Sequence, residues 1–382
     1  MVNKKYPIDK YLFFLDDKLK YLNHASFGAT PKLVMERFLK LTQQVENNPM
    51  QFYLVDYPLL MAKSRIKIAE FLNSQKDNIA FVDNATTGVN TVLHSLQHQI
   101  NSKWEILTVN HYYPAIKNTL KYLSNVTGCK IIAAELPDYT ESKEQIIDII
   151  KTAVSEKTKL MVIDHISSIS AIIFPLKEII DFCRNNNILI LIDGAHAPGF
   201  LDLNLDELKP DWYTGNLHKW LFAPKGTAIF YASKPDKHDI HPVVISNNYQ
   251  NGFTKEFDWT GTKNFCSWLT VPECIEFHQQ YFDWDYCRQL SIYARNLIIS
   301  KLGLKPLANE SLTGLMHSFW LPESSGSTME DVINLRKTLL EKYQIEIFMY
   351  PFNGRIVLRT SSQVYNHEEE YNILVKALKD IL

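Results

Sequence analysis

DWYTGNLHKWLFAPKGTAIFYA, residues 211–232, reads as an extended run, a lysine, a Gly-containing turn and a second extended run. Lys219 stands between His218 and Trp220, where the first run ends. Lysine is costly to bury, so a structural lysine normally faces water. One walled in by apolar residues behaves differently, because desolvation lowers its pKa and frees the amine to act as a nucleophile.

Working outward, short apolar runs recur upstream at WEILTVN (104–110), CKIIAAEL (129–136), KLMVIDHI (159–166) and ILILID (188–193), ahead of WYTGN (212–216). Helical patterns such as PAIKNTLKYLSN and LKEIIDFCRNNN separate them. The runs are β-branched and apolar on both faces, as buried parallel strands are. The alternation predicts an α/β domain with a mainly parallel sheet and right-handed crossovers. Ligands in such sheets sit at the carboxyl ends of the strands. Past residue 265 the pattern changes. SWLTVPECIEFHQQYF predicts a long helical stretch, SLTGLMHSFWLP a strand, and PESSGSTMEDVINLRKTLLEKY a turn, a Ser/Thr cap and an amphipathic helix. IEIFMYPF and RIVLRTSS read as paired strands, and EEEYNILVKALKDIL as a final helix. The expected organisation is a large domain over 15–264 and a smaller α+β domain over 265–382, with residues 1–14 packing on the smaller one.

The strand ends carry the chemistry. WEILTVN leads to His111, Tyr112 and Tyr113; KLMVIDHI leads to Ser167 and Ser168; ILILID ends in Asp193, followed closely by His196. FVDNATTGVNTVLHSL ends a short strand and opens a helix at Thr86, Thr87 and Gly88. A helix N-terminus with two threonine hydroxyls suits a phosphate. An aromatic ring such as Tyr113 could stack on a flat heterocycle. Asp193 could keep a pyridine nitrogen protonated, and Lys219 could form a Schiff base with an aldehyde. Together these are the parts that pyridoxal 5′-phosphate (PLP) requires. Singly, each has a plain structural reading: NATTG as a helix cap, Asp193 as a turn residue, Lys219 as a surface lysine, Tyr113 as packing.

Composition narrows the classes. The chain has 382 residues and a formal net charge of −2, so it is long enough for two domains and offers no basic surface for nucleic acid. Five scattered cysteines with no C-x-x-C pair argue against a disulfide framework. The N-terminal apolar run YLFFL is broken by Asp16 and Asp17, too short for a signal peptide. No run approaches the ~18 apolar residues of a membrane span. A soluble cytoplasmic protein is expected. His94 and His98 have metal-ligand spacing but no third ligand, so no metal is expected. GxGxxG, GxxxxGK[ST] and GxSxG are missing, which removes the usual dinucleotide, P-loop and hydrolase readings.

The order of motifs resembles the class V aminotransferase-like enzymes of PLP fold type I, and within them the isopenicillin N epimerase-like branch. It runs from YLNHASFGATP (21–31) through NATTGVN (84–90), DHISSISAIIFP (164–175), LIDGAHAPG (191–199), GNLHKWLFAPKGT (215–227) and WTGTKN (259–264) to LRTSSQVYN (358–366). The resemblance implies Lys219 as the Schiff-base lysine, Asp193 on the pyridine nitrogen, and His196 on the cofactor's phenolic oxygen or ring. It implies Thr86 and Thr87 on the phosphate, Asn216 and His218 as flanking phosphate or ring contacts, and Tyr113, with His111 as a competing alignment, as the stacking ring. Ser168 stands where many relatives carry an asparagine near the phenolic oxygen. Arg359 matches the arginine for the substrate's carboxylate, and Asn23 and His24 of the first motif are expected to face substrate. The resemblance further implies a homodimer in which WTGTKN of the neighbouring subunit lends Thr262.

The reaction is narrowed less. PLP supplies the electron sink and the protein selects the bond that breaks. Epimerisation, transamination, β-elimination and sulfur transfer remain. Sulfur-mobilising relatives carry an acceptor cysteine ahead of the carboxylate-binding arginine, and this chain has none after Cys287. The expectation is α-proton abstraction from an amino acid or modified amino acid, ending in epimerisation or β-elimination. An aminotransferase and a non-catalytic PLP-binding dimeric module are the alternatives.

Overall fold

The computed structural model describes residues 6–382. Residues 1–5, part of the segment expected to pack on the smaller domain, lie outside the described residues. The strands, in chain order, are β1 (Lys20–Tyr21), β2 (Ile79–Val82), β3 (Glu105–Val109), β4 (Lys130–Ala134), β5 (Thr158–Asp164), β6 (Leu189–Asp193), β7 (Trp212–Asn216) and β8 (Ala228–Ala232). They continue with β9 (Lys305–Pro306), β10 (Met316–Trp320), β11 (Ile345–Glu346), β12 (Phe348–Phe352) and β13 (Arg355–Ser361).

Seven strands form the main sheet in the order β2-β8-β7-β6-β5-β3-β4. β4, β3, β5, β6 and β7 run parallel, and β8 runs antiparallel between β7 and β2. Each predicted apolar run supplies one parallel strand. The reason is two-sided burial: Met161, Ile190 and Tyr213 pack into the core on one face, and Leu160, Leu191 and Trp212 into that on the other. After β3 the chain builds β4 outward and then returns to place β5 on the other side of β3. That reversal opens a crevice at the carboxyl ends of β3 and β5.

The second sheet has the order β12-β13-β10-β9 and is antiparallel throughout. Pro351 sits in edge strand β12, where its missing N–H costs no central ladder bond. Leu290, Phe319, Leu358 and Leu374 join this sheet to helices 284–302 and 368–381 in one cluster. Two local readings change. The stretch SWLTVPECIEFHQQYF breaks into helices Cys266–Leu269 and Val271–Tyr281, with Pro272 in the first turn of the second, where it has no helical N–H to lose. IEIFMYPF also divides: β11 leaves the sheet to pair in parallel with β1, and β12 joins β13. The N-terminal segment meets the C-terminal part through Ile8 N–H to Val364 O at 2.9 Å and Tyr6 stacked on Tyr286. No helix among the described residues is long and apolar enough to cross a membrane.

Candidate active site

A cavity of about 480 Å³ opens at the carboxyl edge of the main sheet. One wall is the start of helix Ala85–Leu96, which follows β2. The Asn84 side chain caps it by accepting the Thr87 N–H at 2.8 Å. Asn216, at the end of β7, accepts the Ala85 N–H at 2.8 Å and so fixes the helix N-terminus to the strand that leads to Lys219. Thr86 and Thr87 line the cavity. Gly88 lets the helix lie on β7: a Cβ there would stand 2.1 Å from Thr214 Oγ1.

Lys219 directs its amine into the cavity, with Nζ 3.2 Å from His196 Nε2. Burial, helped by the Arg359 guanidinium and opposed by Asp193 and Asp164, lowers its pKa from 10.5 to about 7. Burial, with Lys219 next, pushes His196 well below the usual histidine range, so its ring is neutral. His196 Nδ1 is buried without a hydrogen-bond partner. His218 also lines the cavity, held at Nδ1 by the Thr227 carbonyl at 3.3 Å, and burial lowers it to about 4.

Asp193 ends β6, is buried, and accepts the Ala195 N–H at 3.0 Å. Burial raises its carboxyl above the ordinary range. Beside it on β5 stands Asp164, its register partner, also buried and lining the cavity. Tyr113 lines the opposite side and is 43% exposed. His111 does not line the cavity: it is buried with its ring edge on Phe352 at 5.1 Å. Of the two competing alignments, the structure brings the Tyr113 ring to the site.

Ser168 lines the cavity, and its carbonyl accepts from Arg359 Nη1. Arg359 Nη2 donates to Ser26 Oγ at 3.3 Å, and its guanidinium covers the Phe348 ring at 4.1 Å. Arg359 itself stands one layer behind the cavity wall, buried, with Nε unpartnered. Burial lowers it to about 9. Asn23 and His24 depart from expectation, since neither lines the cavity. Asn23 Oδ1 accepts from Ser26 Oγ at 2.6 Å. Both His24 nitrogens are engaged, Nδ1 by Tyr365 Oη at 2.8 Å and Nε2 by the Lys219 carbonyl at 2.9 Å. Both stand behind the cavity wall. Thr262 does not line this chain's own cavity; its loop is pinned by Lys263 to Asp83 at 2.6 Å.

Asp164, Ser26 and Phe27 are cavity residues that sequence reading passed over. Asp164 has a sequence signal: MVID and ILID both end a strand in Ile-Asp. A larger cavity of about 730 Å³ lies at the opposite edge, around Ile188, Asp211 and Lys234. It holds no amine, imidazole and carboxylate set, and ligands of such sheets bind at the carboxyl edge. Among the described residues no group of His, Cys, Asp and Glu could hold a metal. The donor set at the carboxyl edge fits a flat heterocycle with an aldehyde, a protonatable ring nitrogen and a phosphate: an amine free at neutral pH, a buried carboxylate, an orphaned imidazole nitrogen and a helix N-terminus.

Comparison with known proteins points the same way. The profile of the aminotransferase class-V family matches residues 20–307. The chain is 29% identical to isopenicillin N epimerase of Streptomyces clavuligerus, over 95% of each chain. It is 28% identical to a probable chloroplastic L-cysteine desulfhydrase of Arabidopsis thaliana, over 96% of this chain and 84% of the relative. Among solved structures, a variant of C-DES with glycine covalently linked to its PLP cofactor superposes with a TM-score of 0.82 at 20% identity, covering 97% of this chain and 99% of the other.

Proposed function

This chain belongs to the aminotransferase class-V family of PLP-dependent enzymes, and on that premise we propose that it removes the α-proton of an amino acid and completes either epimerisation or β-elimination. The observation that carries the reading is Lys219: an amine near neutrality in the cavity, 3.2 Å from a neutral imidazole. The bound cofactor supplies an electron sink that stabilises negative charge at the substrate's Cα.

The chain's residues divide the remaining work. Thr86, Thr87 and the helix N-terminus hold the phosphate. Asp193 holds the ring nitrogen, and Tyr113 covers the ring. His196, kept neutral by burial, offers Nδ1 to the cofactor's oxygen side while Nε2 steadies Lys219. Asn216 sets the helix against β7. With the substrate's amine in place, Lys219 Nζ would withdraw the proton from Cα. Epimerisation is completed by a proton delivered to the opposite face of Cα, and β-elimination by breaking the bond to the β-substituent, which leaves with a proton. Arg359 takes the substrate's carboxylate by exchanging its bonds to Ser168 and Ser26, a fork-shaped cation matching a planar anion.

The resemblance to an epimerase and a desulfhydrase supports these two outcomes over transamination. All five cysteines are buried and none lines the cavity, which supports excluding sulfur transfer through a protein persulfide. They are also unpaired, in keeping with a reducing, cytoplasmic setting. A homodimer is part of the proposal: Leu54, Val55, Leu59, Val243, Val244 and Ile245 are exposed, a partner would cover them, and its Thr262 would reach the phosphate. The test is exchange of the Cα hydrogen in D₂O across a panel of amino acids that includes cysteine. Exchange with inverted product marks the epimerase, and exchange with pyruvate the lyase. PLP-loaded protein that exchanges none of the panel would sink the proposal.

A further inference from the structure

Asp164 and Asp193 end neighbouring parallel strands and are Cα register partners. Register partners on parallel strands project to the same face, with backbones about 4.8 Å apart. Both side chains are buried, both line the cavity, and no arginine or lysine hydrogen-bonds to either. Asp193 accepts the backbone N–H of Ala195 at 3.0 Å. The titratable groups that face the pair are Lys219, Tyr113 and Tyr213. Two carboxylates this close cannot both ionise cheaply in a desolvated site.

We propose that Asp164 is a positioning residue that works through Asp193, the two forming one proton-sharing pair that supplies and holds the proton of the cofactor's ring nitrogen. The inference rests on the PLP reading of the cavity. In the cofactor-free protein the pair carries one proton and one negative charge. When the ring docks, a carboxyl O–H bond of the pair breaks as the ring N–H bond forms. The pair then carries two negative charges and the ring nitrogen one positive charge. Burial, and for Asp164 the adjacent Asp193, raises both carboxyls in the cofactor-free fold, which fits a retained proton. A single aspartate would face the pyridinium with one charge; the pair faces it with two.

Asp164→Asn tests this, because the amide keeps shape and volume and cannot ionise. The first readout is ¹⁵N NMR of ring-labelled PLP bound to each protein across pH 6–10. The variant should lose the ring proton at least one pH unit below wild type, a tenfold shift in proton affinity. The second readout is the melting temperature of cofactor-free protein. Wild type should lose stability relative to Asp164→Asn as pH rises from 5 to 8, because the folded pair is being forced to ionise. Coincident ring titrations and parallel melting profiles would overturn the pair. Asp164→Ser serves the same comparison if the asparagine variant does not fold. A wild type that binds no PLP refutes the functional reading; a wild type that binds PLP while the variant titrates identically refutes only Asp164.

Discussion

His24 donates through Nε2 to the backbone carbonyl of Lys219 at 2.9 Å. Burial lowers His24 to about 3, so the ring is neutral and carries one proton. A carbonyl only accepts, so that proton is on Nε2 and Nδ1 must accept from Tyr365 Oη at 2.8 Å. The phenol, pushed up by burial, retains its proton to give. A three-residue chain thus runs from the loop after β13 to the backbone of the amine-bearing residue. Gly28 closes the same contact, since a Cβ there would lie 2.0 Å from the His218 carbonyl.

His24→Phe is expected to keep the ring packing and lose both bonds. Tyr365 Oη is left without a partner and the Lys219 carbonyl keeps only the long bond from Phe222 N–H at 3.4 Å, at a cost of about 1–3 kcal/mol for the buried phenol. Urea unfolding should report a loss in that range. PLP capture by the folded variant should slow, as the Lys219 backbone loosens. Unchanged stability would show that the chain contributes nothing.

Lys219→Ala is expected to abolish covalent attachment of PLP. Borohydride reduction and digestion should place a pyridoxyl mass on the peptide containing residue 219 in wild type and on no peptide of the variant. Cα exchange should fall by about 10³-fold or more with the general base removed. In wild type, the rate of PLP capture should rise with pH through about 7 and level off above it, because the unprotonated amine is the reacting form. A midpoint near 10 would contradict the buried-amine reading.

Arg359→Lys keeps the charge and removes the fork. The expected result is a loss of roughly 10²-fold in kcat/KM, carried mostly by KM for the substrate's carboxylate. The absorbance of bound PLP should be unaffected. Equal KM values would place the carboxylate elsewhere.

Acid should unfold this protein steeply. Burial lowers His24 and His165 to about 3 and His111 and His218 to about 4, and holds His196 and His317 well below the usual histidine range. Unfolded histidines titrate near ~6.5. Between that value and 3–4 the unfolded chain binds more protons than the folded one, so stability falls as pH drops. Asp164 and Asp193 act with the opposite sign and are outnumbered. Urea midpoints across pH 7 to 4.5 should give a slope steeper than about 1.4 kcal/mol per pH unit, which is more than one proton taken up on unfolding. A flat profile would count against neutral buried rings.

Gly88→Ala drives a methyl group to 2.1 Å from Thr214 Oγ1 and 2.6 Å from its Cβ. The helix 85–96 and β7 must move apart to relieve it, at about 1–3 kcal/mol by analogy with overpacked cores. PLP affinity should fall with it, because the helix N-terminus moves relative to Lys219. Thermal melting and a PLP titration check the two effects separately.

Much of the site was legible in the sequence because its parts follow a local rule. A parallel strand buried on both faces writes itself as a continuous apolar run, and the residue after it stands at the ligand edge. That rule points to Asp193, Lys219 and the Thr86–Thr87 turn, which the fold gathers around one cavity. What the sequence could not decide is which strand ends are neighbours and which side chains lie behind others. β5 pairs with β6 although helix 176–185 separates them in the chain, and only that register puts Asp164 beside Asp193. His24 precedes Lys219 by nearly two hundred residues, and only packing shows that it grips the Lys219 backbone. Periodicity records whether a side chain is buried; three-dimensional contact alone records what it is buried against.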